Sequence, residues 1–357
     1  MTRQRISALL VTGAMLLAAG SAVTAQSPSA PPAMGGTLGL SEFFLKDLGQ
    51  QEIKKAFESA ATAAGFTTTT TDANGAAQQQ LADVENLINL GVKAIVINPV
   101  DSAAIVPAVE KANTAGIPVF TIDRVPTGGQ VALTVRTDNT ALGKAAGEKM
   151  VELLTAKNGS PNGVVLEVTG DLASTNAQER QSGFDDVLKA YPDIQLLVKT
   201  AKGWDPAAGA DIVRAVVSAG DPKIDGVYFH SEYTGAGIVP ALDQLGQMPV
   251  GDPAHVIVVG IDGSPDGLKW IREGKLDATI SQPLSDFGGV VVNYGIIPIL
   301  AGQTLADGPV VQEGAVWSPS TLVTNAAGTT PDANILMSPT VVTTDNVDDP
   351  RLWGNSK

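Results

Sequence analysis

The chain has 357 residues, more than one α/β core usually holds, so two lobes are expected. Its net charge of −14 argues against nucleic-acid or anionic-membrane partners, which call for a basic surface. The sequence has no cysteine, which excludes disulfides, a lipid-modified cysteine and thiol nucleophiles.

The N-terminus has the pattern of a cleaved export signal. Two arginines precede the apolar run 8–19, and small residues follow it up to position 25. The run is too short to span a bilayer, and no later segment of the sequence is long and apolar enough. We therefore predict a signal peptide over 1–25, a flexible lead-in over 26–36, and export as a soluble chain to a bacterial periplasm.

Strands and helices alternate along the rest of the chain, which is typical of parallel sheets with helices on both faces. The predicted strands are 66–71, 94–98, 119–122, 163–168, 195–200, 226–230 and 256–262. The predicted helices are 52–64, 78–90, 103–115, 141–157, 176–190, 206–219 and 235–245. The elements form two series, so we predict an α/β fold of two related, Rossmann-like lobes.

Two of the predicted strands end in an aspartate. The apolar strand 119–122 leads directly into Asp123 and Arg124, and the strand 256–262 ends in Asp262. Open α/β sheets place their ligands at the carboxyl ends of their strands. A neighbouring carboxylate and guanidinium offer the acceptors and donors that suit vicinal hydroxyls. This pattern predicts a polar site between the two halves.

Six segments of the chain form an ordered set of motifs: 97–102, 116–124, 137–139, 179–184, 259–267 and 278–283. As a set, these motifs resemble those of periplasmic sugar-binding proteins of the ribose-binding type, the solute receptors of ABC transporters. The resemblance covers roughly residues 37–303, and the motifs are specific as a set, although each alone is weak.

The resemblance implies two lobes joined by three hinge crossings. The first lobe is expected to comprise 37–137 and 283–338, and the second 138–282 and 339–357. Either 318–324 or 338–344 could form the third crossing. We favour the later segment, because residues 345–354 resemble the closing segment of some relatives, which assigns the earlier one to an insertion.

The resemblance also implies a set of ligand-binding residues. Asp123 and Arg124 match the sugar-binding pair of the first lobe, and Asp262 matches the carboxylate of the second. Gln282 matches a ligand-binding amide at the second crossing. Trp204 lies where relatives carry an aromatic residue that stacks on the sugar ring.

The chain departs from the ribose pattern at several further candidate positions. On the helix 176–190, Gln178 replaces an arginine, while Arg180 matches a second arginine for which a structural role is expected. Ser231 replaces an asparagine. In the first strand-to-helix loop, Asp47 and Gln50 occupy positions of an Asn-Asn-Pro-Phe-Phe segment, and the aromatic pair appears earlier, at Phe43 and Phe44. These changes leave another pentose, a hexose or an acyclic polyol as candidate ligands.

The predicted function is ligand-driven closure of the two lobes on a carbohydrate or polyol, which is then delivered to a membrane permease. We expect a monomer without a cofactor or a metal. Three alternatives stay open: a receptor for a furanosyl signalling molecule or a chemotaxis sugar, a secreted glycoside-processing enzyme, and a transcription regulator of the same fold. An enzyme is disfavoured because His230 and His255 fit no catalytic or metal-ligand pattern. The predicted leader occupies the place of a DNA-binding module.

Overall fold

Two sheets form the scaffold in the computed structural model, which describes residues 34–220 and 222–356. The strands are β1 (Thr37–Glu42), β2 (Thr67–Asp72), β3 (Ala94–Ile97), β4 (Val119–Ile122), β5 (Leu133–Thr137), β6 (Gly163–Thr169), β7 (Ile194–Thr200), β8 (Gly226–Phe229), β9 (Ile257–Asp262), β10 (Ala278–Ser281), β11 (Gly308–Val310), β12 (Ser320–Thr324), β13 (Ala333–Met337) and β14 (Thr340–Val342). The predicted signal peptide and most of the lead-in lie outside the described residues.

The helices lie between these strands, as the predicted alternation requires. They are α1 (Leu48–Ala63), α2 (Ala77–Asn89), α3 (Val106–Thr114), α4 (Asn139–Asn158), α5 (Thr175–Leu188), α6 (Pro206–Ala219), α7 (Glu232–Gln244), α8 (Pro265–Arg272), α9 (Leu284–Val291) and α10 (Ile297–Leu300). Side chains of Asp47, Asp138 and Ser231 cap the N-termini of α1, α4 and α7 by accepting from backbone N–H groups. The polar residues that follow several strands therefore also begin the next helix.

Five strands of each sheet follow the same order. The eight-stranded sheet runs β11-β12-β13-β5-β4-β3-β1-β2, and the six-stranded sheet runs β14-β10-β9-β8-β6-β7. Within them, β2-β1-β3-β4-β5 corresponds to β7-β6-β8-β9-β10, and all of these neighbours are parallel. The fold is thus a pair of related α/β lobes, here called the first and the second lobe after their sheets. β4 and β9 occupy equivalent places in them.

The chain passes three times between the lobes in the described residues. It leaves the first sheet after β5, returns after β10, and leaves again between β13 and β14, at 338–339. Of the two segments considered for the third crossing, 338–344 therefore passes from the first sheet to the second. The earlier segment, 318–324, contains β12, which together with β11 and β13 extends the edge of the first sheet. The residue boundaries of the lobes and the hinge role of these passages stay predictions.

Apolar side chains cover both faces of each sheet. One group of clusters surrounds the first sheet and includes the fully buried Phe57 and Phe120. Another surrounds the second sheet and includes Phe184 and Phe229. No helix of the described residues is long and apolar enough to cross a membrane.

A glycine contact fixes how two helices of the second lobe pack. A Cβ atom on Gly143 of α4 would lie 2.0 Å from the backbone oxygen of Arg180 on α5, so only glycine fits there. Gly183 of α5 faces Thr140 of α4 with the same closeness, 2.2 Å. This contact sets the position of α5, which carries Arg180 and Asn176 to the space between the lobes.

Candidate ligand-binding cleft

The carboxyl ends of the strands of both sheets face a cleft between the lobes, as expected for ligand sites in open α/β sheets. Its volume is about 400 Å³, including solvent at its mouth. Eight of the ten predicted site residues line it: Asp47, Gln50, Asp123, Arg124, Trp204, Ser231, Asp262 and Gln282. These side chains come from loops that are far apart in sequence, and the fold brings them together.

Asp123 is the polar centre of the first lobe's wall. Its side chain is buried, and its φ of +61° lies in the left-handed region that aspartate tolerates. Its Oδ1 accepts from Nδ2 of Asn176 at 2.7 Å, and its Oδ2 accepts from Nε2 of Gln50 at 3.3 Å. The Nδ2 of Asn98 is 3.5 Å from the same Oδ2. The carboxylate is thus held by amide donors from both lobes.

Arg124 lies beside Asp123, with its Nε 4.0 Å from Oδ2 of that aspartate. Its Nη1 donates to the backbone oxygen of Pro99 at 3.0 Å, and its guanidinium stacks 3.5 Å from the ring centre of Phe43. Burial lowers the pKa of Arg124 to about 10, which leaves it charged at neutral pH. Its buried Nε has no hydrogen-bond partner among the described residues.

Asp262 is the equivalent carboxylate of the second lobe. Its Oδ2 accepts from the Ser231 hydroxyl at 2.8 Å, and its Oδ1 accepts from Nε2 of Gln282 at 2.7 Å. A φ of +135° makes its backbone conformation one that side-chain-bearing residues rarely adopt. Burial raises its pKa, while Arg180, whose Nη1 lies 3.9 Å away, acts in the opposite direction.

The helix α5 contributes residues that the sequence did not single out for binding. Asn176 and Arg180 line the cleft, whereas Gln178 is exposed and donates to the backbone oxygen of Leu172 at 2.7 Å. Residues four apart share a helix face, and the residue between them points away by about half a turn. The structure therefore places the predicted Gln178 outside the cleft. Arg180, expected to be structural, is the arginine that reaches it.

Arg180 is anchored as well as directed at the cleft. Its Nε donates to Oδ1 of Asn139 at 2.7 Å, and its Nη1 donates to the backbone oxygen of His230 at 2.6 Å. The side chain is buried and keeps a fixed orientation towards Asp262. A sequence signal was present, since the Glu-Arg pair belongs to a matching motif, but the motif does not tell which helix face turns inward.

Aromatic side chains line one end of the cleft. Trp204 is buried, with its six-membered ring over Gly170, where a Cβ atom would lie 2.2 Å from the ring. Its Nε1 has no partner among the described residues. Besides Gln178, Phe44 is the other predicted residue that does not line the main cleft. It lines a wider cavity at the mouth of the cleft, with its ring 5.4 Å from that of Tyr233.

Several carboxyl groups around the cleft have raised pKa values. Burial, together with the charge of Asp262, raises the pKa of Asp47 to about 7. Burial and Asp123 raise that of Glu42 to about 8, and burial and Asp262 do the same for Glu232, also to about 8. The two glutamates bond to neighbouring groups behind the cleft: Asn98 donates to Glu42, and Thr279 and Ser264 donate to Glu232. Glu42 and Glu232 therefore hold their protons for the most part at neutral pH.

Neither histidine lines the cleft. His230 is buried in the second lobe, with its Nε2 2.8 Å from Oε1 of Glu167, and burial lowers its pKa well below the usual value. His255 pairs with Asp277 at 2.8 Å, away from the cleft. The described residues contain no group of three or more His, Asp or Glu side chains that could hold a metal ion.

The comparisons with known proteins agree with this architecture. A periplasmic binding protein domain model matches residues 43–295. The chain is 32% identical over 285 residues to a ribose import binding protein of Bacillus subtilis, covering 78% of this chain and 88% of that protein. It is 31% identical over 247 residues to a xylitol-binding protein of Mycolicibacterium smegmatis, covering 69% and 64%.

A likeness to a solved structure supports the fold. A carbohydrate transporter solute-binding protein from Agrobacterium radiobacter, solved in complex with D-arabinose, aligns with a TM-score of 0.76 at 20% identity. The alignment covers 89% of this chain and 97% of that structure. At this identity the likeness concerns the two-lobed α/β architecture.

Proposed function

The chain belongs to the periplasmic binding protein domain family, and from this premise we propose that it is the substrate-binding protein of an ABC transporter, taking a sugar or sugar alcohol between its lobes. One observation carries the proposal: the buried side chains of Asp123 and Arg124, from one lobe, line the same cleft as those of Asp262 and Arg180, from the other lobe. Family members of this kind act in transport, so no catalytic step is assigned to the site.

The chemistry of the cleft suits a small neutral polyhydroxyl compound. Carboxylates accept from hydroxyl groups, guanidinium groups donate to ring or hydroxyl oxygens, and charge-assisted bonds are stronger than neutral ones. Three residues that line the cleft have a buried polar atom without a hydrogen-bond partner among the described residues: Nε of Arg124, Oε1 of Gln282 and Nε1 of Trp204. The ring of Trp204 supplies an apolar wall for the C–H groups of the same molecule.

Closure of the lobes would complete the site. Asn176 bonds to Asp123 across the cleft, and the backbone N–H of Ser102 donates to the backbone oxygen of Ala173 at 3.1 Å at its rim. These bonds join residues of the first lobe to residues of the second, so they exist only in a closed arrangement. A ligand that bonds to both walls shifts the population towards that arrangement, which a permease can then recognise.

The departures from the ribose pattern decide which ligand is preferred. The guanidinium of Arg124 covers one face of Phe43, and the half-buried carboxylate of Asp47 lies at the start of α1. The aromatic surface of the cleft comes from Trp204, Phe43 and Tyr233, Leu284 adds an apolar side chain, and the other lining residues are polar. We propose a ligand with hydroxyl groups around most of its surface, either a pentose, a hexose or an acyclic polyol.

The remaining parts of the proposal concern the setting of the protein. Export by the signal peptide places it in a periplasm, as a monomer whose partner is the membrane permease. The net charge of −14 and the polar, metal-free chemistry proposed for the cleft fit a carrier of neutral solutes rather than a nucleic-acid-binding protein.

The test is a thermal-shift panel with D-ribose, D-arabinose, D-allose, xylitol, erythritol and myo-inositol. A ligand at 100 times its Kd adds about 2.7 kcal/mol to the free energy of unfolding, which is readily measured. Stabilisation by at least one compound, lost in Asp123→Ala, is the expected result. Stabilisation by none of them, or release of product from a labelled glycoside, would overturn the proposal.

A further inference from the structure

The last described segment of the chain joins the two lobes beside the cleft. Leu352 is buried in the hydrophobic cluster of the second lobe, while the next residue, Trp353, belongs to that of the first lobe. Gly354 packs against the loop after β9, where a Cβ atom would lie 2.4 Å from the backbone oxygen of Gly263. Three consecutive residues thus contact one lobe, the other lobe, and the loop that follows Asp262.

Hydrogen bonds fix this segment to the second lobe. Nε of Arg272, in α8, donates to Asp348 at 2.9 Å, and Nη2 of Arg272 donates to the backbone oxygen of Val347 at 3.1 Å. The same Nη2 donates to Oδ1 of Asn355 at 2.8 Å. Trp353 lies between these anchored residues, so it must move with the second lobe.

The Trp353 indole has two distinct contacts. Its Nε1 donates to the backbone oxygen of Asp262 at 2.7 Å, and the side chain is buried. Its ring lies against the first turn of α1, since a Cβ atom on Gly49 would be 3.8 Å from Cη2 of Trp353. Gly49 follows Asp47, a residue of the opposite wall of the cleft, by two positions.

The first contact matters because of the backbone of Asp262. With a φ of +135°, this residue holds a rarely populated conformation that the surroundings must maintain. The carbonyl oxygen of Asp262 accepts from the indole at 2.7 Å and from the backbone N–H of Gln282 at 3.1 Å, and its carboxylate accepts from the side chains of Ser231 and Gln282. Removal of the indole N–H would loosen the backbone while leaving the two side-chain bonds in place.

We propose that Trp353 is a positioning residue of the cleft: its N–H fixes the backbone of Asp262, and its ring rests on α1 only when the lobes are closed. This inference rests on the proposed function. It differs from a ligand-contact role, because Trp353 is not among the residues that line the main cleft. Trp353 thereby couples the position of the Asp262 carboxylate to the closure of the second lobe onto the first.

The test compares two buried tryptophans that each donate one hydrogen bond. Trp317 lies in the first lobe and donates from Nε1 to Oδ2 of Asp286 at 2.7 Å, away from the cleft. Trp353→Phe and Trp317→Phe therefore each remove one donated indole N–H from a buried side chain. The probe is the compound of the sugar and polyol panel that stabilises the wild-type protein most.

We expect Trp353→Phe to weaken binding of that compound roughly fivefold to tenfold, the scale of one lost hydrogen bond, and mainly through faster dissociation. Trp317→Phe should lower the melting temperature without changing Kd. Equal Kd values in both variants and the wild type would overturn the inference while leaving the proposed function intact. A wild-type protein that responds to no compound would instead overturn the proposed function.

A second measurement covers the case in which Trp353→Phe does not fold. The wild-type protein, labelled with 5-fluorotryptophan, gives one fluorine signal for each of its four tryptophans. Single substitutions of the other three assign the Trp353 signal. Addition of the same compound should shift the Trp353 signal and leave that of Trp317 in place. An unchanged Trp353 signal would overturn the inference.

Discussion

The side-chain amide of Asn176, on the second lobe, donates to Oδ1 of Asp123, on the first, at 2.7 Å. The bond crosses the cleft and uses a carboxylate oxygen that a ligand hydroxyl would also approach. Asn176 is itself held, since its Oδ1 accepts from Nδ2 of Asn139 at 3.2 Å. Asn176 therefore has two roles in the closed arrangement: it joins the lobes and it orients the carboxylate.

Asn176→Asp should make binding weaker and dependent on pH. The substitution removes the N–H donor and places a second carboxylate beside the buried Asp123, where like charges repel. We expect affinity to fall by at least ~2 kcal/mol at pH 8 and to recover partly at pH 5, where one of the two groups can hold a proton. Calorimetric titrations at the two pH values measure this. Asn176→Ala, which adds no charge, is the control and should lack the pH dependence.

The two strand-end aspartates should each be required for binding. Asp123→Ala and Asp262→Ala remove a buried carboxylate that holds several donors in place, so each should weaken binding by at least ~2 kcal/mol. Calorimetry with the best ligand of the panel measures the loss. Asp307→Asn, on an exposed carboxylate that accepts from Thr324 at the far edge of the first sheet, should leave Kd unchanged. Full affinity in both cleft variants would contradict the assigned site.

The helix α5 offers a paired test of the corrected site. Arg180→Lys keeps a positive charge but loses the planar fork that reaches Asn139, His230 and the cleft, so binding should weaken by about 2 kcal/mol. Gln178→Ala, two residues away on the exposed face, should bind normally. Circular dichroism first checks that both variants fold, and surface plasmon resonance then measures their ligand affinities. A larger loss in Gln178→Ala would restore the original prediction.

These residues show which parts of the candidate site can be predicted from the sequence. Asp123 and Asp262 could be predicted because each ends or directly follows a buried strand, and strand ends meet at one edge of a sheet. Gln282 was predicted only through the family resemblance. Asn176 and Arg180 could not be separated from Gln178, since the inward face of α5 depends on its glycine contact with α4. The strands β11 to β13 were missed because they are only three to five residues long and are separated by segments that contain proline and glycine. The segment around Trp353 was noticed, but its role depends on which backbone it reaches.

Stability should increase as the pH falls from 9 towards 6.5. The folded pKa values of Glu42 and Glu232 are raised to about 8 and that of Glu167 to about 9, all from an unfolded value of 4.5. A carboxyl with a raised folded pKa destabilises the fold progressively as the pH rises from its unfolded to its folded value, because only the folded state keeps the proton. Each such proton contributes up to ~1.4 kcal/mol per pH unit.

Melting temperatures between pH 6.5 and pH 9 test this expectation. Below 6.5 the buried His230 acts in the opposite direction: its pKa is lowered in the fold, so protonation of the unfolded chain then favours unfolding. Glu42→Gln should reduce the gain in melting temperature between pH 9 and pH 6.5. A neutral amide of similar shape then replaces a carboxyl group that, in this pH range, holds its proton only in the folded state. A melting temperature that increases between pH 6.5 and pH 9 would contradict the assigned proton positions.

The place of Trp204 in the cleft should depend on Gly170. A Cβ atom at Gly170 would lie 2.2 Å from Cη2 of Trp204, so Gly170→Ala must displace the ring that forms the apolar wall. Loss of one aromatic contact of this kind costs about 0.5–1.5 kcal/mol, and we expect affinity to fall by that amount. At Gly289, in α9, a Cβ atom would have no neighbour within 4 Å, so Gly289→Ala is the matched control and should bind normally. Because both changes add a single methyl group, a loss of affinity confined to Gly170→Ala would show that the indole face contacts the ligand, and equal affinities would show that it does not.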